Sequence, residues 1–192
     1  YRSREVGEAL RALDMARIIQ LIYPTASLEP PITPDLKRKP RLQFLDTGLL
    51  TYVMGIQSEM IGLHNLNSFY RGRVIQHLVA QQFQAQTISP LYKPLFWVRE
   101  KANSNAEVDL IYQYREYIIP VEIKSGAKGS LRSLHQFVER SGHRKGIRLL
   151  ANKFSVEKSK TPAGIPYLLM NVPYYASTRI NKYAELLLSL QV

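Results

Sequence analysis

The sequence predicts a mixed α/β fold, and three observations carry the prediction. Residues 108–114 and 117–124 are rich in Val, Ile and Tyr and meet at a tight polar turn, the pattern of a β-hairpin. Residues 72–86 place Val74, Ile75, Leu78, Val79 and Phe83 on one broad face at helical spacing. From there the patterns alternate as helix, three strands, helix, two strands, helix. The class is a mixed central sheet flanked by helices, preceded by a small helical segment.

In chain order, residues 6–22 read as one helix, with Val6, Leu10, Leu13 and Ala16 spaced by threes and fours and Pro24 as its stop. Pro30, Pro31 and Pro34 make the next stretch extended or turning. Residues 42–45 form a short strand, and Asp46 is placed to cap a helix through Gly48, Leu49, Leu50 and Val53. The polar, weakly patterned residues 58–67 mark a boundary, dividing a segment 1–60 from a domain 61–192. Beyond the helix at 72–86, Pro90 and Pro94 bracket a turn before a strand at 95–99. After the hairpin come a helix at 130–140, strands at 146–151 and 165–172, and a closing helix at 177–188. Neither an internal repeat nor a low-complexity tract interrupts this order.

Composition narrows the function classes. The 192 residues carry 26 Lys and Arg against 15 Asp and Glu, a net charge of +11. An excess of that size favours a polyanionic partner, because cations that neutralise phosphates release counterions. The charge clusters at Lys37, Arg38, Lys39 and Arg41, and again at Arg132, Arg140, Arg144, Lys145, Arg148 and Lys153. Ordinary solubility charge is the plain alternative; spread over several elements, the excess fits nucleic acid better than the single amphipathic helix of a membrane-surface protein. No apolar run approaches a membrane span. With no cysteine, disulfides, zinc ribbons and thiol catalysis are excluded. The chain starts at Tyr1 and reads as a cytoplasmic protein cut or processed upstream.

The hairpin carries the chemistry. An even-length loop centred on Arg115-Glu116 pairs residues whose numbers sum to 231, setting Asp109 opposite Glu122 with Cβ atoms about 4.5–5.5 Å apart. Period-2 alternation brings Lys124, and Glu107 opposite it, onto the same face. The other face holds Val108, Leu110, Tyr112, Ile119, Val121 and Ile123, a core face. Two carboxylates this close repel, and a divalent cation holds both ionised; magnesium accepts one or two protein carboxylates together with water and phosphate oxygens. Asp109 and Glu122 are therefore the expected magnesium ligands, and Lys124 the group that orients water or neutralises charge developing on a phosphate. A charged pair on the solvent face of a hairpin is the plain alternative. A one-residue slip would separate the pair.

These residues, Asp109 on one strand and Glu122-Ile123-Lys124 on the next, resemble the signature of the PD-(D/E)xK nuclease superfamily. The resemblance implies a restriction-endonuclease-like core and magnesium-dependent hydrolysis of a phosphodiester. Phe44-Leu45-Asp46-Thr47-Gly48-Leu49-Leu50, with Gly72 and the helix after it, is similar to the C-terminal region of a bacterial and archaeal AAA+ ATPase family. That likeness implies an uncharacterised nuclease-like domain after a P-loop ATPase and a winged helix, with residues 4–23 similar to the end of the winged helix. It implies an upstream ATPase partner, the bearer of any ATP site, since no G-x-x-x-x-G-K-[ST] loop occurs here. Where that family usually carries a glutamate on the helix after Gly72, this chain has Gln76, which keeps an acceptor oxygen but removes a charge. Gln76 is thus an accessory to the site, and Gln136 corresponds to the superfamily's common glutamine on the following helix, with Arg140 in place of the usual downstream aromatic.

Smaller features take structural readings. His64, His77, His135 and His143 lack metal-ligand spacing, and His77 reads as a helix-surface residue. The glycines and serines between Ser125 and Ser130 read as a strand-to-helix turn, with phosphate binding as the alternative. Phe96 and Trp97 read as core, with stacking on a base as the alternative. The expected function is a nuclease-fold domain binding DNA through Arg132, Arg144, Lys145, Lys37 and Arg38. Its rival is a non-catalytic module coupling an ATPase to DNA or to a protein.

Overall fold

A computed structural model of the chain describes residues 3–57, 73–87, 92–99, 106–124, 126 and 129–192. Helix α1 (Ser3–Met15) is followed by Arg17 in a left-handed conformation at φ 59°. The chain then enters strand β1 (Ile19–Ile22), so the single helix expected over 6–22 is a helix and a strand. All four residues of β1 are buried, and its β-branched isoleucines suit an extended chain covered on both sides. After β2 (Pro24–Thr25) come β3 (Arg41–Phe44) and α2 (Thr47–Val53), with Asp46 as N-cap accepting from the Leu49 N–H at 2.6 Å. The boundary expected at 58–67 lies outside the described residues.

The larger part begins with α3 (Arg73–Ala85) and the strands β4 (Leu95–Val98), β5 (Glu107–Tyr114) and β6 (Tyr117–Ile123). Helix α4 (Arg132–Ser141) ends at Gly142, whose φ of 73° suits a residue without Cβ. Strands β7 (Lys145–Leu150), β8 (Ser155–Lys160) and β9 (Pro166–Pro173) follow. A 3-10 turn (Tyr174–Arg179) opens the closing helix α5 (Ile180–Ser189). Strand β8 has no counterpart in the sequence reading. Its Ser-Val-Glu-Lys-Ser-Lys sequence lacks an apolar face because it forms the sheet's edge, where lysines blunt unwanted pairing.

Seven strands form one mixed sheet in the order β2-β4-β5-β6-β7-β9-β8, and β1 and β3 form a separate antiparallel pair. Strands β4, β5 and β6 are an antiparallel meander, after which β6, β7 and β9 run parallel. Helices α3 and α5 cover one face through Ile75, Val79, Ile180 and Leu187 against Val121, Ile147 and Met170. Helix α4 covers the other, with Phe137 on Trp97 and Ile118, and Leu134 and Val138 on Tyr167 and Leu169. Phe96 and Trp97 are thus core, at 4% and 2% exposure.

One irregularity positions the site. The β4–β5 register slips by a residue between Leu95–Ile111 and Trp97–Val108. The slip breaks the alternation of β5. Val108 and Leu110, expected on one face, pack in different layers: Val108 with Phe137 of α4, Leu110 with the α3 and α5 cluster.

Candidate active site

Every paired residue of the β5–β6 hairpin sums to 231, from Tyr114–Tyr117 to Leu110–Val121, as expected from a turn at Arg115-Glu116. Arg115 adopts φ 55° there, which lets two non-glycine residues close the turn. The ladder stops one step short of Asp109 and Glu122, and the strands part at that point. The Ile123 N–H donates to Oδ2 of Asp109 at 2.8 Å, so a carboxylate stands where a strand carbonyl would otherwise accept. Beyond the gap, the Lys124 N–H bonds the Leu149 carbonyl at 2.8 Å and ties the end of β6 to β7.

The acidic groups reach this gap from different layers, which corrects the expectation of a shared face. Glu122 alternates with Val121 and Ile123, which face α3, so it leaves β6 on the α4 side. Asp109, at the break in β5, reaches α3 instead, where the Gln76 side-chain amide donates to its Oδ1 at 2.5 Å. Lys124 Nζ donates to Oε1 of Glu122 at 2.5 Å. The lysine stem lies against Gly129, where an added Cβ would come within 2.5 Å of Lys124 Cδ. Gln76, Asp109, Glu122 and Lys124 therefore gather where the hairpin opens. Glu107, expected opposite Lys124, pairs with Arg41.

Burial sets the electrostatics. Glu122 is 6% exposed, and its pKa is pushed up to about 7, first by desolvation and then by the charge of Asp109, against the pull of Lys124 and Arg41. Asp109 is also raised by desolvation, opposed by the Ile123 N–H, Lys124 and Arg41. Arg41 was visible in the sequence only as one member of a basic cluster. Strand β3 carries it over the ring of Phe96, at 3.9 Å, with Nη1 donating to the Asp109 carbonyl at 3.2 Å.

The donor set fits a small, hard cation. Oε2 of Glu122 is buried without a hydrogen-bond partner among the described residues. A buried carboxylate oxygen in that state suits a divalent ion. Among the described residues no three His, Cys, Asp or Glu side chains gather, so two carboxylates are what the described part of the site offers. Magnesium accepts that number because it keeps several of its waters.

The remaining expected residues are dispersed. Arg132 and Lys37 are exposed. Arg38 pairs with Asp35 at 3.0 Å. Arg144 Nη1 donates to the Val138 carbonyl at the end of α4, at 2.8 Å, and Lys145 Nζ to the Leu188 carbonyl at 2.9 Å. Gln136 lies on α4 with a buried Oε1 that has no partner among the described residues. His77 corrects the sequence reading: it is 8% exposed rather than on the surface, and desolvation pulls its pKa down to about 4, against the charge of Asp46. His135 meets the Tyr167 hydroxyl at 2.9 Å, and His143 donates to the Leu28 carbonyl at 3.1 Å. His64 and Ser125 lie outside the described residues.

The fold and site define an α/β protein with a mixed sheet between helical layers and a carboxylate–lysine cluster where two central strands separate. Residues 71–174, more than half of the chain, match the model of a family described as a domain of unknown function (DUF4143), and the chain belongs to that family. No curated protein and no solved structure matches it. Among the described residues no helix is long and apolar enough to cross a membrane.

Proposed function

We propose that this chain is a DNA-acting, nuclease-like domain of the PD-(D/E)xK kind, hydrolysing phosphodiesters with magnesium. The observation that carries the reading is the meeting of half-buried Asp109 and buried Glu122, with Lys124 bonded to Glu122, at the split end of the hairpin. Structural charge pairs are normally left at the surface or fully satisfied, whereas Oε2 of Glu122 is buried and has no partner among the described residues. A magnesium ion bound by the two carboxylates would polarise a phosphodiester and make an attacking water more acidic.

The chain's own groups have distinct parts. Asp109 is fixed by two donors, the Ile123 N–H and the Gln76 amide, so its carboxylate is held in place before substrate arrives. Lys124 holds its ammonium at Glu122, where it can orient a water and offset the negative charge that grows on the phosphate oxygens. Arg41 adds a second cation beside Asp109. The net charge of +11 draws the polyanion in. The resemblance to the C-terminal region of an AAA+ ATPase family extends this reading to an ATPase partner on the same chain.

The test is incubation with plasmid and linear DNA in Mg²⁺ or Mn²⁺. Cleavage by the wild-type protein that falls at least about a hundredfold in Asp109→Ala supports the reading. Equal activity in the two proteins removes the site from the chemistry. A second reading, a non-catalytic module that binds DNA, is favoured by Gln76: a neutral amide sits 2.5 Å from Asp109 where the resembled family has a third carboxylate. Salt-dependent DNA binding without cleavage, unchanged in Glu122→Ala, is its signature.

A further inference from the structure

A cavity of about 720 Å³ opens at Asp109, with Asp109, Glu107, Gln76 and Arg41 at its polar part and Leu42, Phe44 and Met54 among its apolar walls. That volume is in the range of small-molecule sites. Its other polar groups are uncharged. Gln43 is 4% exposed and donates to the His77 carbonyl at 3.3 Å. The Nε2 of His77, itself a lining residue, is buried without a partner among the described residues. Gln20, the cross-strand partner of Gln43 and not itself a lining residue, is 1% exposed with both amide atoms unpartnered among the described residues. Buried amides and imidazoles are ordinarily paired, so this concentration is what a ligand with its own donors and acceptors would complete.

We propose that the cavity receives an unstacked nucleobase of single-stranded DNA whose backbone phosphate lies at Asp109. The inference rests on the nuclease reading above and deepens it by naming the substrate class. A base is a flat, uncharged ring with hydrogen-bonding edges, matching apolar walls with neutral amide and imidazole groups. A phosphate needs cations, and Arg41, which also pairs with Glu107, stands in the cavity beside Asp109. A base paired in a duplex must first be extruded to enter, whereas one in a single strand or a frayed end is free to do so.

The test uses the full chain in EDTA, so that binding is read without cleavage. A single-stranded oligonucleotide carrying 2-aminopurine, the matching blunt duplex and deoxyadenosine monophosphate are titrated into wild type and His77→Phe. The single strand binds wild type at least about tenfold tighter than the duplex, the worth of one stacked and bonded base, and the mononucleotide binds weakest. In His77→Phe, confirmed as folded by circular dichroism and melting, that preference shrinks severalfold. Equal binding of duplex and single strand overturns the inference, as does an unchanged preference in the variant or a mononucleotide that binds tighter than the strand. Cleavage assays in Mg²⁺ run beside it separate the two readings. A single-strand preference sensitive to His77 without any cleavage removes the catalytic claim alone. Cleavage of both DNA forms with no effect of His77→Phe removes the base pocket alone.

Discussion

At the scale of single residues, the acidic centre and the histidine beside it give stability opposite pH dependences. Glu122 titrates at about 7 in the fold against an ordinary value near 4.5. The folded state therefore favours its neutral form, and this contribution is complete below the ordinary value and lost as pH rises through about 7. His77 is held down to about 4, so the folded state favours its neutral form too, but that contribution is lost as pH falls below the ordinary 6.5. Two variants separate them by thermal melting without metal. Relative to Glu122→Gln, the wild type weakens between about pH 5 and pH 8. Relative to His77→Phe, it weakens as pH drops from about 7 to 4.5. Parallel melting-against-pH curves for either pair of proteins would contradict the corresponding burial. Gly129 supplies a third residue-level prediction. A methyl group there meets the Lys124 stem at 2.5 Å. Gly129→Ala should displace Nζ from Glu122 and lower cleavage about as far as Lys124→Met, while melting changes little. Full activity in Gly129→Ala would show that the lysine's position is not critical.

At the scale of elements, helix α2 is held by its cap and lines the cavity through Leu50. Asp46→Ala should cost about 1 kcal/mol in chemical denaturation, the ordinary worth of an N-cap side chain. An unchanged midpoint would mean that the 2.6 Å bond contributes nothing net. Asp46 was readable in the sequence because a cap is a local signal. The β5–β6 register was readable for the same reason: the turn at Arg115-Glu116 fixes every pair after it. The slip between β4 and β5 was not readable, because it depends on a partner strand distant in sequence, and with it the separate layers of Val108 and Leu110 were lost. Strand β1 was absorbed into a helix because an apolar run covered on both sides carries no period to distinguish the two. Strand β8 was missed because an edge strand needs no apolar alternation. His77 is tied to β3 through the Gln43 amide, which bonds its carbonyl across 34 residues of chain, a contact that local pattern does not announce.

At the scale of the molecule, the parting of two central strands assembles four groups from three elements around one gap, and the segment bearing β3 brings Arg41 to it. From residue 72 onward the order of strands and helices was legible except for β8, and one turn made legible that Asp109 and Glu122 come near each other; that Asp109 turns toward α3, away from the face of Glu122, was not. The cavity and the uncharged Gln43 and His77 in its lining were not, because they come together only when β3 and α2 are laid beside α3 and β5. If this surface serves DNA, binding weakens with salt, and Lys37→Ala and Arg132→Ala, both exposed, each lower the salt slope by about one. A slope unmoved by either change would place the strand elsewhere. The central claim, that Asp109 and Glu122 together grip a divalent ion, is tested most directly by calorimetric titration of Mn²⁺ into the wild type, Asp109→Ala and Glu122→Ala at a pH above 7. One saturable site is expected in the wild type and none in either variant; an undiminished site in Asp109→Ala or Glu122→Ala would show that the two carboxylates do not share the ion.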